Sequence, residues 1–285
     1  MARIDRSRFE SAPCTWTPHA GGYVKKSHRM SCEAVCRGRS SIVTRSRGDD
    51  DGQQFPTAGP LARRTDLSKS DLIHACDPNQ PSAVYVYVVR SAKWNDAGGI
   101  SQHGSAPNFQ GGRITLCTCK HSMRAGRRIG DWRETWVAGL TRACGGSQAL
   151  FYLMRIERAY GSHFELWSDL AKKTRRAKSM LHSRLGDLCQ PRRELAVHNR
   201  ESLFDPRNYY KPVPGHTHSK NNGWLRDLDY RNKDRLRRPA PLLLGEAENS
   251  FLWSKPRLVW PRKMSQGCKR LHSIADFLER LEELP

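Results

Sequence analysis

The sequence predicts an α+β domain from residue 82 to the C-terminus, built on a small, curved, mostly antiparallel sheet or a partly closed barrel with flanking helices. Two observations support this prediction. Short runs of β-branched and aromatic residues, each of strand length, are separated by turns that contain glycine. Two later segments repeat their apolar residues every three or four positions, which is typical of amphipathic helices.

Residues 1–80 differ from the rest of the chain. They are rich in Arg, Ser, Gly and Asp and have no sustained period of a helix or a strand. Such a segment buries too little apolar surface to offset the entropy lost on ordering. We therefore predict a disordered or low-structure basic arm over 1–80. A translation start downstream is an alternative explanation, which native peptides that map before Met30 would exclude.

Four segments are predicted to be strands. Residues 82–90 are almost wholly β-branched and aromatic and indicate a buried central strand. A glycine-rich loop leads to the alternating segment 113–119, and two further strands are predicted over 136–139 and 149–156. Glycine turns separate these segments, as expected for a mostly antiparallel sheet.

Two segments are predicted to be helices. Residues 162–178 begin at Ser162, a good N-cap, carry an apolar stripe and end in lysines and arginines that suit the negative end of a helix dipole. Residues 273–283 form a second amphipathic helix, with Ser273 as its N-cap. The stretch 186–240 is polar and loop-rich, and long irregular segments of this kind are usually functional or disordered.

The charge of the chain points to an anionic partner. The formal net charge is +21, and residues 1–80 contribute only +4 of it, so the folded part carries most of the charge. Nucleic acid is the commonest polyanion and is therefore the leading partner class, although a merely solvated basic surface is the alternative. No apolar run reaches the length of a membrane span, and no apolar stretch follows the basic N-terminus as it would in a secretory signal. We therefore expect no membrane association and a cytoplasmic location.

The cysteines favour a reducing compartment over a disulfide framework. There are nine, an odd number, and none forms a CxxC pair. Cys117 and Cys119 together with His216 and His218 would supply four zinc ligands, but their spacing is not that of a knuckle or a ribbon. We therefore predict no metal. Walker, dinucleotide-binding and nucleophile-elbow motifs are absent from the sequence, and we predict no cofactor.

The first functional hypothesis is a nucleic-acid or nucleotide binding module. One wall of its site would be formed by the loop 104–112 and the segment 118–128. In it, the amide of Asn108 reads a base edge, cations meet phosphate and an aromatic ring stacks on a base. The predicted binding residues are Asn108, Gly111, Gly112, Lys120, Arg124, Arg127, Arg128 and Trp132. The alternative is that the aromatic rings belong to the core and the cations to a solvated face.

The second hypothesis is an enzyme that acts on a nucleobase. Its nucleophile would be Cys117 or Cys119, activated by nearby cations, with Asp131 as base and His216 or His218 as acid. Asp131 is, however, more often only a turn residue whose side chain binds backbone N–H groups. The third hypothesis is an assembly protein of a modification complex.

A resemblance to a known family narrows these hypotheses. Several characteristic segments follow one another in order: 84–90, 104–109, 111–112, 115–120, 127–132 and 150–156. This order resembles the nucleotide modification associated domain 2 family, described as DNA base hypermodification proteins. The resemblance covers about residues 82–282, and the part from Gly104 to Trp132 is the most specific. One departure is the insertion of Arg133, Glu134 and Thr135 after the Gly-Asp-Trp turn.

The resemblance implies a context more than a reaction. It implies that residues 82–285 form a nucleotide modification associated domain with a role near modified nucleobases, often in phage or defence settings. DNA or a modified nucleotide, and other proteins of a modification complex, would be its partners, while the oligomeric state stays open. The succession of strands and glycine turns also resembles PUA-like barrels, and this likeness concerns the fold alone.

Overall fold

A curled, mostly antiparallel half-barrel sheet organises the chain and confirms the predicted α+β class. The structure, a computed structural model, describes residues 52–94, 98–213, 222–231, 237–265 and 267–284. The strands of this part are β1 (Val84–Val88), β2 (Ala92–Trp94), β3 (Ile100–Gln102), β4 (Thr115–Leu116), β5 (Trp136–Leu140), β6 (Gln148–Tyr160), β7 (Leu242–Leu252), β8 (Leu258–Trp260), β9 (Cys268–Leu271) and β10 (Glu282–Glu283). The helices are α1 (Pro60–Arg63), α2 (Lys69–Ala75), α3 (His121–Ala125), α4 (His163–Asp169), α5 (Lys172–Lys178), α6 (Arg200–Phe204), α7 (Gly223–Leu228) and α8 (Ile274–Arg280).

Strand β6 is the axis of the main sheet. The strand order is β10-β8-β6-β5-β1-β9, and β7 pairs with another stretch of β6 and carries β4 on its far side. The pairing of β6 with β7 shifts register on both sides of Ile156. Such bulges bend a strand and increase its twist, which explains why the sheet curls. The strands β2 and β3 form a separate two-stranded sheet.

The strand β1 positions the site described below. Its Val-Tyr-Val-Tyr-Val sequence pairs in parallel with β5 and antiparallel with β9, so backbone partners lie on both sides. The prediction of a paired, largely buried strand is therefore confirmed, although β1 is the strand next to one edge. The predicted strands at 136–139 and 149–156 correspond to β5 and to part of the longer β6.

Two predicted elements differ from the structure. The segment 113–119 forms only the two-residue strand β4, because the backbone N–H groups of Cys117 and Thr118 turn to the carboxylate of Asp187. The predicted helix 162–178 is two helices, α4 and α5, because Leu170 adopts an extended backbone (ψ 141°) and buries its side chain. The predicted N-caps Ser162 and Ser273 both accept a backbone N–H, as expected.

The prediction of a low-structure arm is wrong for residues 52–80. Helix α1 begins with Pro60, helix α2 is capped by Ser68, and Leu61 and Leu72 lie in the main core. The sequence pattern missed these helices because they are only four and seven residues long, so each shows too few turns for a period. Residues 1–51 lie outside the described residues.

The described residues pack around one main hydrophobic core and two smaller clusters. The main core lies against β1, β5 and β6 and includes apolar residues of α1, α2 and α8. The smaller clusters include apolar residues of α4, α6 and α7. None of the described helices combines the length and the apolar character that a membrane crossing requires.

Candidate functional site

An open cleft of about 740 Å³ lies at the C-terminal end of β1. Its size falls within the usual range for small-molecule sites, about 300–1,000 Å³. Four segments line it: residues 87–91, residues 103–106, residues 118–121, and Gly223, Arg226 and Asp227 of α7. Two of these segments belong to the wall that the sequence predicted, the glycine loop and the stretch after Thr118.

The interior of the cleft is apolar. Tyr87, Val88, Val89 and Ala106 line it, and each is almost fully buried. The hydroxyl of Tyr152 donates a hydrogen bond to the hydroxyl of Tyr87 at 2.9 Å, so the ring of Tyr87 is held from the core side. Burial raises the pKa of each tyrosine well above the ordinary value for tyrosine, and both hydroxyls are therefore neutral. This interior offers an uncharged, mainly apolar surface to a ligand.

Three cations stand around this apolar interior. Arg90 and Arg226 are exposed, and Lys120 is half-buried with its Nζ 5.0 Å from the ring centre of Tyr87. Burial lowers the pKa of Lys120 from its ordinary value. Lys120 adopts a left-handed backbone conformation (φ 54°) just before α3, which turns the chain so that His121 also lines the cleft. The cleft thus combines an apolar interior with a cationic rim.

A histidine–aspartate pair completes the lining. His121 Nε2 lies 3.2 Å from Asp227 Oδ1, and its ring stacks on Tyr230 with a centroid distance of 4.7 Å. Burial lowers the pKa of His121, while the nearby carboxylate of Asp227 acts in the opposite direction. The imidazole is therefore neutral near pH 7 and held in orientation by a buried carboxylate. Such a group can accept a proton from a ligand in the cleft.

The structure corrects the predicted role of Arg124. This side chain is fully buried and donates hydrogen bonds to the backbone carbonyls of Cys117 (2.5 Å), Cys119 (2.8 Å), Ala240 (3.2 Å) and Pro241. All three nitrogens of its guanidinium are engaged inside the protein. Arg124 therefore joins the segment after β4 to the start of β7 and does not meet phosphate.

The predicted reading of a base edge by Asn108 is also wrong. Asn108 is fully buried; its Nδ2 donates to the carbonyl of Leu185 at 2.7 Å, and its Oδ1 accepts from the backbone N–H of Gln110. Gly111 packs against Thr174 of α5, and neither it nor Gly112 lines the cleft. This half of the glycine loop fixes α5 to the domain.

Trp132 belongs to the core and not to a stacking surface. Its side chain is fully buried, its Nε1 donates to the carbonyl of Arg124, and its ring lies 4.9 Å from that of Tyr85. The predicted stacking of Trp132 on a base is therefore wrong, and the alternative prediction, that this ring belongs to the core, is confirmed. Arg127 and Arg128 line a second concave surface, away from the cleft.

The predicted catalytic residues divide into separate places. Cys117 is fully buried and burial raises its pKa well above the ordinary value, which excludes a ready thiolate; Cys119 lines the cleft. Asp131 is exposed in its turn, where its carboxylate accepts a hydrogen bond from the backbone N–H of Arg128. This contact agrees with the alternative that Asp131 is a turn residue. His216 and His218 lie outside the described residues. Within the described ranges, no group of three or more metal-ligating side chains is present.

Sequence reasoning missed the residues that pair across the fold. His121 was visible only as part of a basic stretch, and Asp227 as one polar residue in a loop-rich region. Asp187, which holds the turn after β4, appeared only as a Gly-Asp turn. No sequence spacing rule predicts contacts between residues so far apart in the chain. The only available signal for Asp187 and Asp227 was that each is an acidic residue in a mostly basic region.

The fold and the cleft together define an α+β protein with a half-barrel sheet and a basic-rimmed apolar cleft. Comparison of the chain with family models, with curated proteins and with solved structures returned no match. The resemblance to the nucleotide modification associated domain 2 family therefore enters below as part of a proposal.

Proposed function

We propose that the protein binds a nucleotide, free or as part of a nucleic acid, in this cleft, and that it serves in the modification of DNA bases. One observation carries the binding proposal. The cleft presents apolar and aromatic side chains inside and the three cations Arg90, Lys120 and Arg226 around them. A nucleotide has the matching division, a flat base with little charge and an anionic phosphate.

The chemistry of each part supports this assignment. Bases stack favourably on aromatic and apolar surfaces because every base offers a π-face. Arginine presents a planar fork that matches the oxygens of a phosphate, and lysine adds a point charge. An uncharged ligand would make no use of the charge of the rim, and an inorganic anion would make no use of the apolar interior.

The link to base modification rests on the resemblance of the segments 104–109 and 115–120 to the family. Gly104, Ser105 and Ala106 of the first segment and Thr118, Cys119 and Lys120 of the second line the cleft. The part of the chain that carries the resemblance most specifically thus contributes to the proposed binding site.

The test is calorimetric titration with nucleoside 5′-monophosphates and with the corresponding nucleosides. We expect the protein to bind a monophosphate more tightly than its nucleoside. The double variant R90Q/R226Q should lose about tenfold in affinity for the monophosphate, equivalent to roughly 1.4 kcal/mol, because two partly solvated charge contacts are removed. Its affinity for the nucleoside should not change.

A matched control is R63Q/R176Q, which removes two exposed arginines that do not line the cleft. This variant should bind both ligands as the original protein does. Failure of the unmodified protein to bind any monophosphate would contradict the proposal, as would equal losses in the two double variants.

A second candidate function, an enzyme that acts on the bound base, is favoured by one arrangement. Cys119 and His121 line the same cleft, and His121 is oriented by Asp227. A thiol, an imidazole and a carboxylate are the groups of a nucleophilic site, in which the imidazole removes the proton of the thiol. Loss of base modification in cells that carry C119S, with nucleotide binding retained, would favour the enzyme; C144S, at an exposed cysteine that does not line the cleft, is the control.

A further inference from the structure

A second concave surface, called the arginine groove, lies beyond the C-terminal end of α3 and has a volume of about 480 Å³. It is lined by Arg127, Arg128, Ile129, Arg200, Arg231, Arg237, Arg238, Pro239 and Pro241. These residues come from four separate parts of the chain. The fold therefore gathers arginines that the sequence disperses.

The charge of the groove is strongly one-sided. Of the described residues that line it, six are arginines and none is acidic. The nearby Asp229 lies 2.6 Å from Arg231 and offsets one of these charges. Like charges packed in one concavity repel each other, and low-dielectric walls concentrate their field. The groove is therefore arranged to receive an anion with several negative charges.

Aromatic rings hold some of the arginines in place. The guanidinium of Arg127 lies 5.4 Å from the ring centres of both Tyr85 and Trp132, and that of Arg231 lies 4.5 Å from Phe204. Arg127 also donates a hydrogen bond through Nη1 to the hydroxyl of Tyr85 at 3.2 Å. These contacts restrict both long side chains. Such a preorganised arginine loses less entropy when it binds an anion than a free surface side chain does.

The groove and the cleft lie along the same two segments. His121, at the start of α3, lines the cleft, and Arg127, just after α3, lines the groove. Arg226 of α7 lines the cleft and Arg231, just after α7, lines the groove. Tyr230 ties the two segments, because it stacks on His121 and its hydroxyl lies 2.9 Å from that of Ser122. Only the short helix α3 and its C-cap Gly126 separate His121 of the cleft from Arg127 of the groove.

We infer that the ligand is a single-stranded polynucleotide, with one base in the cleft and neighbouring backbone phosphates in the arginine groove. This inference rests on the proposed function and specifies its substrate class. A base can enter an apolar cleft only when it has left its stack, which a single strand allows without the cost of opening a duplex. The groove supplies the charge that binds the backbone without reading its sequence.

The test measures binding of a fluorescent 12-nucleotide single strand of DNA to the full chain at several salt concentrations. The triple variant R128Q/R200Q/R237Q removes three exposed arginines of the groove. For three lost phosphate contacts, affinity should fall about 100-fold at 0.1 M salt, and the slope of log affinity against log salt should become less steep by about 2. Binding of a mononucleotide in the cleft should stay within about twofold, because no phosphate of that ligand reaches the groove.

The matched control is R63Q/R176Q/R262Q, three exposed arginines that line neither the cleft nor the arginine groove. Equal losses in the two triple variants would overturn the inference, since net charge alone would then explain binding. Equal affinity for the same sequence as a duplex would overturn the single-strand assignment. Equally tight binding of a 12-residue polyglutamate through the same arginines would overturn the assignment to a nucleic acid.

The two proposals fail in distinguishable ways. If the protein binds mononucleotides but the groove variant retains full affinity for the 12-nucleotide strand, the inference is wrong and the proposed function stands. If the strand binds through the groove but no mononucleotide binds in the cleft, the proposed function is wrong, and the placement of a base in the cleft falls with it. Circular dichroism of each variant confirms that it is folded.

Discussion

The cations of this protein occupy two contrasting settings. Arg124 and Lys178 are fully buried; both donate to backbone carbonyls, and Lys178 donates also to the side-chain oxygen of Asn108. The cations of the cleft and the arginine groove line open concavities, and Arg90 and Arg226 among them are exposed. All of them look alike in the sequence. The contrast shows that a basic residue in a segment predicted to bind a ligand can equally well have a buried, structural role.

The buried set is organised around Asp187. Its carboxylate accepts from the hydroxyls of Thr115 and Thr118, both at 2.9 Å, and from the backbone N–H groups of Cys117 and Thr118. Lys178 Nζ donates to the carbonyls of Asn108 at 2.7 Å and Arg113 at 2.6 Å. Burial lowers the pKa of Lys178 to about 7, and the charge of Asp187 opposes that shift. The carboxylate thereby stabilises the segment that leads into the cleft.

The largest expected effect is on stability and comes from Asp187→Ala. The substitution leaves the backbone N–H groups of Cys117 and Thr118 without an acceptor and removes the acid whose charge acts on both Arg124 and Lys178. The hydroxyls of Thr115 and Thr118 keep Asn108 and Ser105 as partners. A buried donor that loses its acceptor costs about 1–3 kcal/mol, so the two N–H groups together predict a loss of about 2–6 kcal/mol, which urea unfolding would measure. The control Asp131→Ala, in an exposed turn, should cost less than about 1 kcal/mol. A loss below 1 kcal/mol in Asp187→Ala would show that the buried network is not essential.

The next effect concerns the pH dependence of stability through His163. This buried ring accepts the backbone N–H of Cys189 at Nδ1, and its Nε2 lies 3.3 Å from the carbonyl oxygen of Asp227. Burial lowers its pKa to about 4. The unfolded chain, with an ordinary histidine pKa, binds the proton first as the pH falls, so the folded state loses stability between about pH 6.5 and pH 4.

The expected loss from pH 8 to pH 5 is about 2 kcal/mol from this group alone. It is obtained by comparing urea unfolding of the original protein and of His163→Asn at both pH values. The asparagine has an oxygen for the Cys189 N–H but does not titrate in this range. Equal pH dependence in the two proteins would mean that His163 is not the titrating group.

The smallest expected effect on stability belongs to the rim of the cleft. The variant R90Q/R226Q should change the free energy of unfolding by no more than about 0.5 kcal/mol, because exposed cations contribute little to folding. The same variant is expected to weaken binding of a monophosphate. A large loss of stability would show that Arg90 and Arg226 have a structural role like that of the buried cations. The contrast between buried and cleft-lining cations would then not hold.

How well each part of the site could be predicted depends on how far apart in the sequence the interacting residues lie. The wall formed by the segments near Gly104 and after Thr118 was predicted because each segment is continuous in sequence, and parts of both do line the cleft. Asn108 and Arg124 were assigned wrongly because their partners, Leu185 and Pro241, are distant in the chain. Asp227 was missed for the same reason, since its pairing with His121 exists only in the fold.

The sequence by itself determined what depends on neighbouring residues. It specified the strand that became β1, the N-caps at Ser162 and Ser273, and a net positive charge carried mainly by residues 81–285. Only the tertiary structure decided which cations are buried and which line the cleft and the arginine groove. Local conformation follows from short-range sterics and hydrogen bonds, whereas the burial of a charge depends on partners that the chain brings together only when it folds.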